Sequence, residues 1–334
     1  MLLNSTLNLK HLKQKMFKVY ISDSIYQTII TSEENKAPSE QSYLYKLLDK
    51  QPIQILKPEE EKKIQENPSC VLDNPSAVYI LNISPEEASA IENSYGVMCL
   101  SGDNPDISPL IDVEDYFKPS KKEKKFKGWD RVLDTVENLP SNALVLRDRY
   151  LFKYKGKKEG DGITNVRSIL DELLPEQFEG GEYHITIVFG LESNSYTFKE
   201  INAELNAIAH ELRSGYDIMI EIFGVYETSC LFYDSHDRQI VSNYYFVEAS
   251  HKLAAFKNDD VGIVDQSITP WALFTRNSLD SDSSAPLEAI EQTREDFRNF
   301  YANISSETNR ETYFYAINGK RLERCTGVKN RLLK

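Results

Sequence analysis

Apolar and polar positions alternate with a period of two across Phe17-Lys18-Val19-Tyr20-Ile21, then break at Ser22-Asp23-Ser24. The pattern predicts a strand ending in an acidic turn. Residues 31–39 are polar and read as a loop, and 43–48 and 59–66 read as helical segments, the second bracketed by Pro58 and Pro68. An apolar strand over 77–83 leads into Ser84-Pro85-Glu86-Glu87. A capping serine, a proline at the first helical position and a glutamate at the third predict a helix over 85–94 that stops at Gly96. A short strand over 97–100 follows. Strand, helix and strand with brief connections form a βαβ unit, so the first domain is predicted to be α/β with parallel strands.

The second half repeats the logic with a different ending. Residues 143–146 predict a strand, 166–174 an amphipathic helix, 183–189 a strand, 198–213 a long helix and 217–223 a strand. Segments 230–233 and 239–246 are expected to pair as later strands, and 286–301 to form a helix after the polar stretch 278–285. This order predicts an α/β domain with a mixed sheet. The expected organisation is a flexible tail over 1–16, a small parallel α/β domain over 17–111, a charged linker over 112–141 and the mixed-sheet domain over 142–334.

Composition narrows the function classes. At 40% hydrophobic and 27% charged residues, the 334-residue chain is not disordered wholesale. Its net charge of −13 excludes a uniformly cationic coat for nucleic acid. One basic patch stands out in the linker, where Lys121, Lys122, Lys124, Lys125 and Lys127 crowd together. It reads as a solvated hinge or as a contact for nucleic acid or an acidic protein surface. No apolar run reaches the ~18–20 residues needed to span a bilayer. The first sixteen residues lack the features of a leader or anchor. Cys70, Cys99, Cys230 and Cys325 form no C-x-x-C pair, so reduced thiols, no zinc and a cytoplasmic location are expected. Gly156, Gly160 and Gly162 among Lys155, Lys157 and Lys158 predict a basic loop after the first strand of the second domain, without the spacing of a phosphate-binding loop.

The sharpest local chemistry is Ser235-His236-Asp237-Arg238-Gln239-Ile240-Val241-Ser242-Asn243. It has the spacing H-x-K-x-x-x-x-D of the phospholipase D signature, with Arg238 for the lysine and Asn243 for the aspartate. A histidine nucleophile there needs a lysine on the phosphoryl oxygens and a carboxylate to orient its ring. An arginine differs in shape and reach, and an amide supplies no negative charge. A degenerate, inactive site is expected. With Leu144-Val145-Leu146-Arg147-Asp148-Arg149-Tyr150, the helix over 165–174 and His236-Asp237-Arg238-Gln239-Ile240, residues 144–256 resemble the non-catalytic phospholipase D-like domain of MIT-domain proteins. Arg149 stands where that family has proline, and Ser250-His251-Lys252 where it has a G-R-G turn. The resemblance implies a recognition module that binds a protein partner or a second copy through Asp148, Tyr150, His236, Asp237, Arg238 and Asn243. Asp148, His236 and Arg238 also read as a buried hydrogen-bonded cluster pinning strand ends.

In the first domain Asp23 ends a strand, Glu86 and Glu87 open a helix, and Asp103 follows a strand in Ser101-Gly102-Asp103-Asn104. Carboxyl ends of parallel strands share one edge, where gathered carboxylates hold Mg²⁺ or Mn²⁺ and activate water on a phosphodiester. The pattern resembles PIN-like nucleases, with Glu60 or Asp73 the stand-ins for that family's middle acid. The resemblance implies a metal site on Asp23 and Asp103. The plain alternative is that these acids cap helices and turns. Two functions follow: a non-enzymatic adaptor requiring no cofactor, or a metal-dependent nuclease acting on RNA or DNA with the second domain as sensor. Either would suit a prokaryotic defence or toxin system.

Overall fold

The computed structural model describes residues 17–111, 128–134, 136, 138–155, 160–192, 194–226, 229–232, 238–256, 267–280, 285–304, 313–322, 325 and 327–334. The tail over 1–16, the linker lysines Lys121, Lys122, Lys124, Lys125 and Lys127, and His236 and Asp237 lie outside these residues.

The chain forms an α/β protein with two sheets. The first is four-stranded and parallel, in the order β2 (Ile53–Leu56), β1 (Val19–Ser22), β3 (Val78–Leu81), β4 (Cys99–Ser101). Helices α1 (Asp23–Glu33), α2 (Tyr43–Lys50), α3 (Pro58–Glu66) and α4 (Pro85–Tyr95) connect these strands. The predicted acidic turn is instead the first turn of α1, which leaves β1 directly at Asp23, where a carboxylate favours a helix N-terminus. The loop read over 31–39 therefore begins only after Glu33. Ser84 and Glu87 form the expected capping box of α4, with Glu87 N donating to Ser84 Oγ at 3.2 Å and Ser84 N to Glu87 Oε2 at 2.9 Å.

The second sheet has eight strands in the order β10 (Ile268–Ala272), β9 (Tyr245–Ala249), β8 (Arg238–Ser242), β5 (Ala143–Asp148), β6 (Tyr183–Gly190), β7 (Ile218–Val225), β11 (Tyr313–Ile317), β12 (Lys320–Leu322). β5, β6 and β7 are parallel, and the flanking strands on both sides run antiparallel. A short turn of helix, α5 (Asp130–Leu133), precedes β5. α6 (Gly162–Leu173) and α7 (Phe198–Leu212) carry the parallel crossovers, and α8 (Arg276–Asp280) and α9 (Ala285–Ile304) follow β10. Phe189 stacks on Phe198 of α7, whereas Phe223 meets Phe297 and Phe300 of α9, so helices cover both faces. Two strand expectations are corrected. Cys230–Phe232 is a 3₁₀ turn, and residues 239–246 divide into β8 and β9 at a turn on Asn243 and Tyr244, where both side chains point inward to other bonds.

The two sheets share one apolar interior. Val19, Ile21, Val78 and Ile80 belong to the same buried cluster as Leu144, Leu146, Ile187 and Phe223. Phe17 packs edge-on to Phe274 at 5.2 Å, Phe274 N donates to Leu110 O at 3.0 Å, and Lys46 pairs with Asp280 at 2.7 Å. The opposite face of the small sheet has its own core of Tyr20, Tyr79, Leu81, Ile64, Val71 and Ile91. Polar bonds also cross the junction. Met98 N donates to Tyr244 Oη at 2.9 Å, and Tyr244 Oη donates to Ala77 O at 2.5 Å.

The C-terminal segment is ordered over 327–334 and lies across the large sheet. Asn330, fully buried, donates through Nδ2 to Leu144 O at 2.8 Å and to Thr186 Oγ1 at 3.0 Å. Lys329 N donates to the buried Glu221, which also accepts from Tyr315 Oη at 2.8 Å and Thr186 Oγ1 at 3.1 Å. Arg331 N donates to His184 Nδ1 at 3.0 Å. Burial and the charges of Arg331 and Lys334 push His184 down to about 3, so the ring stays neutral.

Candidate functional site

The centre of the large sheet is also where its topology reverses. From β5 the chain crosses to β6 on one side, and from β7 it returns to place β8 on the other. Ligands of α/β sheets occupy the crevice that such a reversal opens at the carboxyl ends of the strands. Here that position lies beyond Asp148, whose strand partner in register is Arg238.

Asp148 is fully buried. Its Oδ1 accepts from Tyr150 N at 2.7 Å and its Oδ2 from Leu253 N at 2.6 Å. Burial pushes its carboxyl up to about 6, against the two backbone donors and the charges of Arg238 and Lys252. The carboxylate ties the end of β5 to the loop after β9.

Around this pin, cations alternate with aromatic rings. Tyr150 has three cations over its ring, Arg149 at 5.9 Å, Lys153 at 5.0 Å and Arg238 at 5.6 Å. Lys252, only 6% exposed, lies over Tyr154 at 4.5 Å, and Lys155 lies over Tyr196 at 4.6 Å. Arg149 reaches across to Phe232, donating to its carbonyl at 2.8 Å. Arg238 donates through Nη1 to Ser250 O at 3.0 Å, while its Nε is shielded from solvent with no acceptor among the described residues. Below the crevice Asp161 caps α6, accepting from Thr164 N at 3.0 Å and from the Tyr196 hydroxyl. Such ring contacts contribute on the order of 0.5–2 kcal/mol each, more as water is excluded.

Of the residues selected from the sequence, Asp148, Tyr150 and Arg238 converge here. Asn243 does not. It lies at the far end of β8, ~16 Å from Arg238 at ~3.3 Å per residue, and is fully buried against the small domain. Its Nδ2 donates to Pro75 O at 3.0 Å and Ser76 Oγ at 3.1 Å, and its Oδ1 accepts from Asn142 N at 3.0 Å. The amide that stands for an aspartate in the motif is thus an inter-domain staple. Arg149, Lys153, Tyr154 and Lys252 were missed. The signal was present in the interleaved Arg149-Tyr150-Leu151-Phe152-Lys153-Tyr154-Lys155, whose basic and aromatic residues read individually as a turn and a loop.

In the small domain the parallel sheet brings Asp23, Glu86, Glu87 and Asp103 to its carboxyl edge. Glu87 is committed to the capping box, Asp23 accepts from Gln27 Nε2 at 3.3 Å, and Glu86 and Asp103 are exposed. Among the described residues no group of three or more His, Cys, Asp or Glu is placed to hold a metal ion. The buried acid at this edge is Glu61, rather than Glu60 or Asp73. It accepts from Ser22 Oγ at 2.6 Å and from Asn82 N at 2.5 Å, joining α3 to β1 and β3. The pairing of Glu61 with Ile64 on the inward face of α3 is the pattern that would have found it.

A separate cleft of about 600 Å³ lies between the C-terminal ends of α4 and α6, lined by Glu92, Glu172 and Glu176 among others and, among the described residues, by no basic side chain. Burial pushes Glu92 up to about 7, although Cys99 N donates to it at 3.2 Å.

No protein-family model matches this sequence, and no curated protein is similar to it. No helix among the described residues is long and apolar enough to cross a membrane.

Proposed function

We propose that the chain is a non-enzymatic recognition protein whose second domain is an inactive phospholipase D-like module, with the crevice around Asp148, Tyr150 and Arg238 as its contact surface. The observation that carries this reading is the fate of the two polar side chains beside the motif. Asp148 is held by the backbone donors of Tyr150 and Leu253, and Asn243 is consumed by Pro75, Ser76 and Asn142. Both are engaged in internal bonds, while cations and aromatic rings pack together beside Asp148. An adaptor needs that surface and no reacting group.

The metal-dependent nuclease on Asp23, Glu86, Glu87 and Asp103 has no comparable observation in its favour. The test uses the full chain with labelled single-stranded RNA, single-stranded DNA and a chromogenic phosphodiester, with Mg²⁺ or Mn²⁺. No turnover is expected. Affinity capture with the chain as bait is expected to recover a partner that Arg238→Gln no longer recovers. Turnover lost in Asp23→Asn or His236→Ala, or capture indifferent to Arg238, overturns the reading.

A further inference from the structure

We infer that residues 327–334 form a hinged strap latched by His184, and that the strap lets go of the large sheet when this ring takes up a proton. The device is independent of the recognition reading above.

The strap is held through side chains of the sheet. Lys329 N donates to Glu221 Oε1 at 3.1 Å, and Asn330 Nδ2 donates to Leu144 O at 2.8 Å and to Thr186 Oγ1 at 3.0 Å. Arg331 N donates to His184 Nδ1 at 3.0 Å, and Arg331 Nε reaches the same nitrogen at 3.4 Å. The apolar anchor of the strap is small, consisting of the buried Leu332 and Leu333. A segment tied at a few points opens at lower free energy than the paired strands beneath it. Gly327 supplies a pivot. Its φ of +144° suits glycine, and among the described residues no atom lies within 4 Å of a Cβ placed there.

Two of these bonds end on one nitrogen. A neutral imidazole has a single acceptor nitrogen and a protonated one has none, so the strap and a proton compete for His184 Nδ1. Charge acts in the same direction. Arg331 and Lys334, both on the strap, oppose a cationic ring, and burial together with these cations holds His184 at about 3. When the strap leaves, that cover and both cations leave with it, and the ring returns toward its ordinary 6.5. The open form then binds the proton more tightly. Opening is favoured about tenfold per pH unit below ~6.5, or about 100-fold between pH ~7.5 and ~4.5.

Three more charged groups stand on elements packed against the strap. Glu182, just before β6, faces Arg331, and Arg294 of α9 donates to Lys334 O. Glu221 of β7 accepts from Lys329 N. Burial raises Glu221, so its proton favours the closed form in acid and opposes the response of His184. Replacing the histidine isolates its share.

The test is amide hydrogen exchange on the full chain, read by mass spectrometry from pH ~7.5 to ~4.5 and corrected for the exchange of free amides. Peptides covering 328–334 are expected to open more readily than those covering β6 at every pH, and to gain about 100-fold across the range. His184→Gln keeps an acceptor that does not titrate, so that gain should fall by at least about tenfold. His184→Ala should lose the gain as well and loosen the strap already at neutral pH; it serves if circular dichroism shows that the glutamine variant does not fold. An NMR titration of the wild-type ring needs no variant, and protonation is expected only as the strap amides lose protection. A ring that titrates near 6.5 while 328–334 stay protected overturns the latch. So does an acid gain that both variants keep in full. A strap that opens no more readily than β6 removes the hinge itself.

Discussion

Replacing Asn243 by alanine separates a staple from a site residue. The side chain is fully buried and makes four hydrogen bonds, to Pro75 O at 3.0 Å, Ser76 Oγ at 3.1 Å, Asn142 Oδ1 at 3.2 Å and from Asn142 N at 3.0 Å. Pro75 O keeps a second donor, Asn142 Nδ2, at 3.0 Å, so its loss is small. The backbone N–H of Asn142 loses its acceptor in a water-free position, which costs ~1–3 kcal/mol. The bonds to Ser76 and Asn142 Oδ1 add ~0.5–1.5 kcal/mol each. Together the change is about 3–4 kcal/mol, a large fraction of the ~5–15 kcal/mol that holds an ordinary domain. The assay is urea unfolding followed in parallel by circular dichroism and by the fluorescence of Trp129 and Trp271. A lower midpoint with an unchanged slope and coincident transitions is expected. A variant as stable as wild type within ~0.5 kcal/mol, the ordinary range for surface substitutions, refutes the reasoning, and more so if partner binding were lost.

Four further outcomes follow from the same junction and from the sheet. Gly96 ends α4 at φ +59°, and a Cβ there would meet Ser141 O at 2.0 Å, so Gly96→Ala is expected to cost ~2 kcal/mol or more in urea unfolding; Gly181, at φ +82° with open space around it, is the control and should cost only the ~1–2 kcal/mol of backbone strain. Glu92 binds its proton more readily folded than unfolded, so its contribution to stability is present below about 4.5 and lost as pH rises through about 7; Glu92→Gln should therefore be more stable than wild type by ~1–3 kcal/mol at pH ~8 and equal to it at pH ~4. His184 has the opposite sign, since its folded value lies near 3 against an ordinary 6.5, so wild type loses stability as pH falls below 6.5 and His184→Gln should flatten that slope in thermal unfolding. Asn330→Ala, which removes the bonds to Leu144 and Thr186, should lower stability by ~2–3 kcal/mol, as measured by urea unfolding.

Local pattern carried the elements whose signals are local. The alternation at Val19 to Ile21, the capping box on Ser84 and Glu87, and the apolar run of β6 all appear where the residues place them, because propensity, capping and burial agree there. β2, β10, β11 and β12 were passed over. They are strands of three to five residues whose order comes from pairing with distant neighbours rather than from their own composition. Of the candidate site residues, Asp148, Tyr150 and Arg238 were chosen because a motif names them, and they stand close together at the end of β5. Lys252 was hidden because its approach to Tyr154 depends on how the loop after β9 folds back over β5, and Asn243 was misplaced because linear spacing says nothing about which end of a strand faces the crevice.

The interior common to the two sheets sets how this chain tolerates being divided. Val19, Ile21, Val78 and Ile80 are covered on one side by residues contributed from beyond the linker, so a cut between the sheets strips both halves of part of their covering. Either piece expressed by itself would carry a bare greasy face, prone to self-association or chaperone capture. A gene that passed on only one of them would pass on a liability, and recombination should therefore move the pair as an indivisible unit.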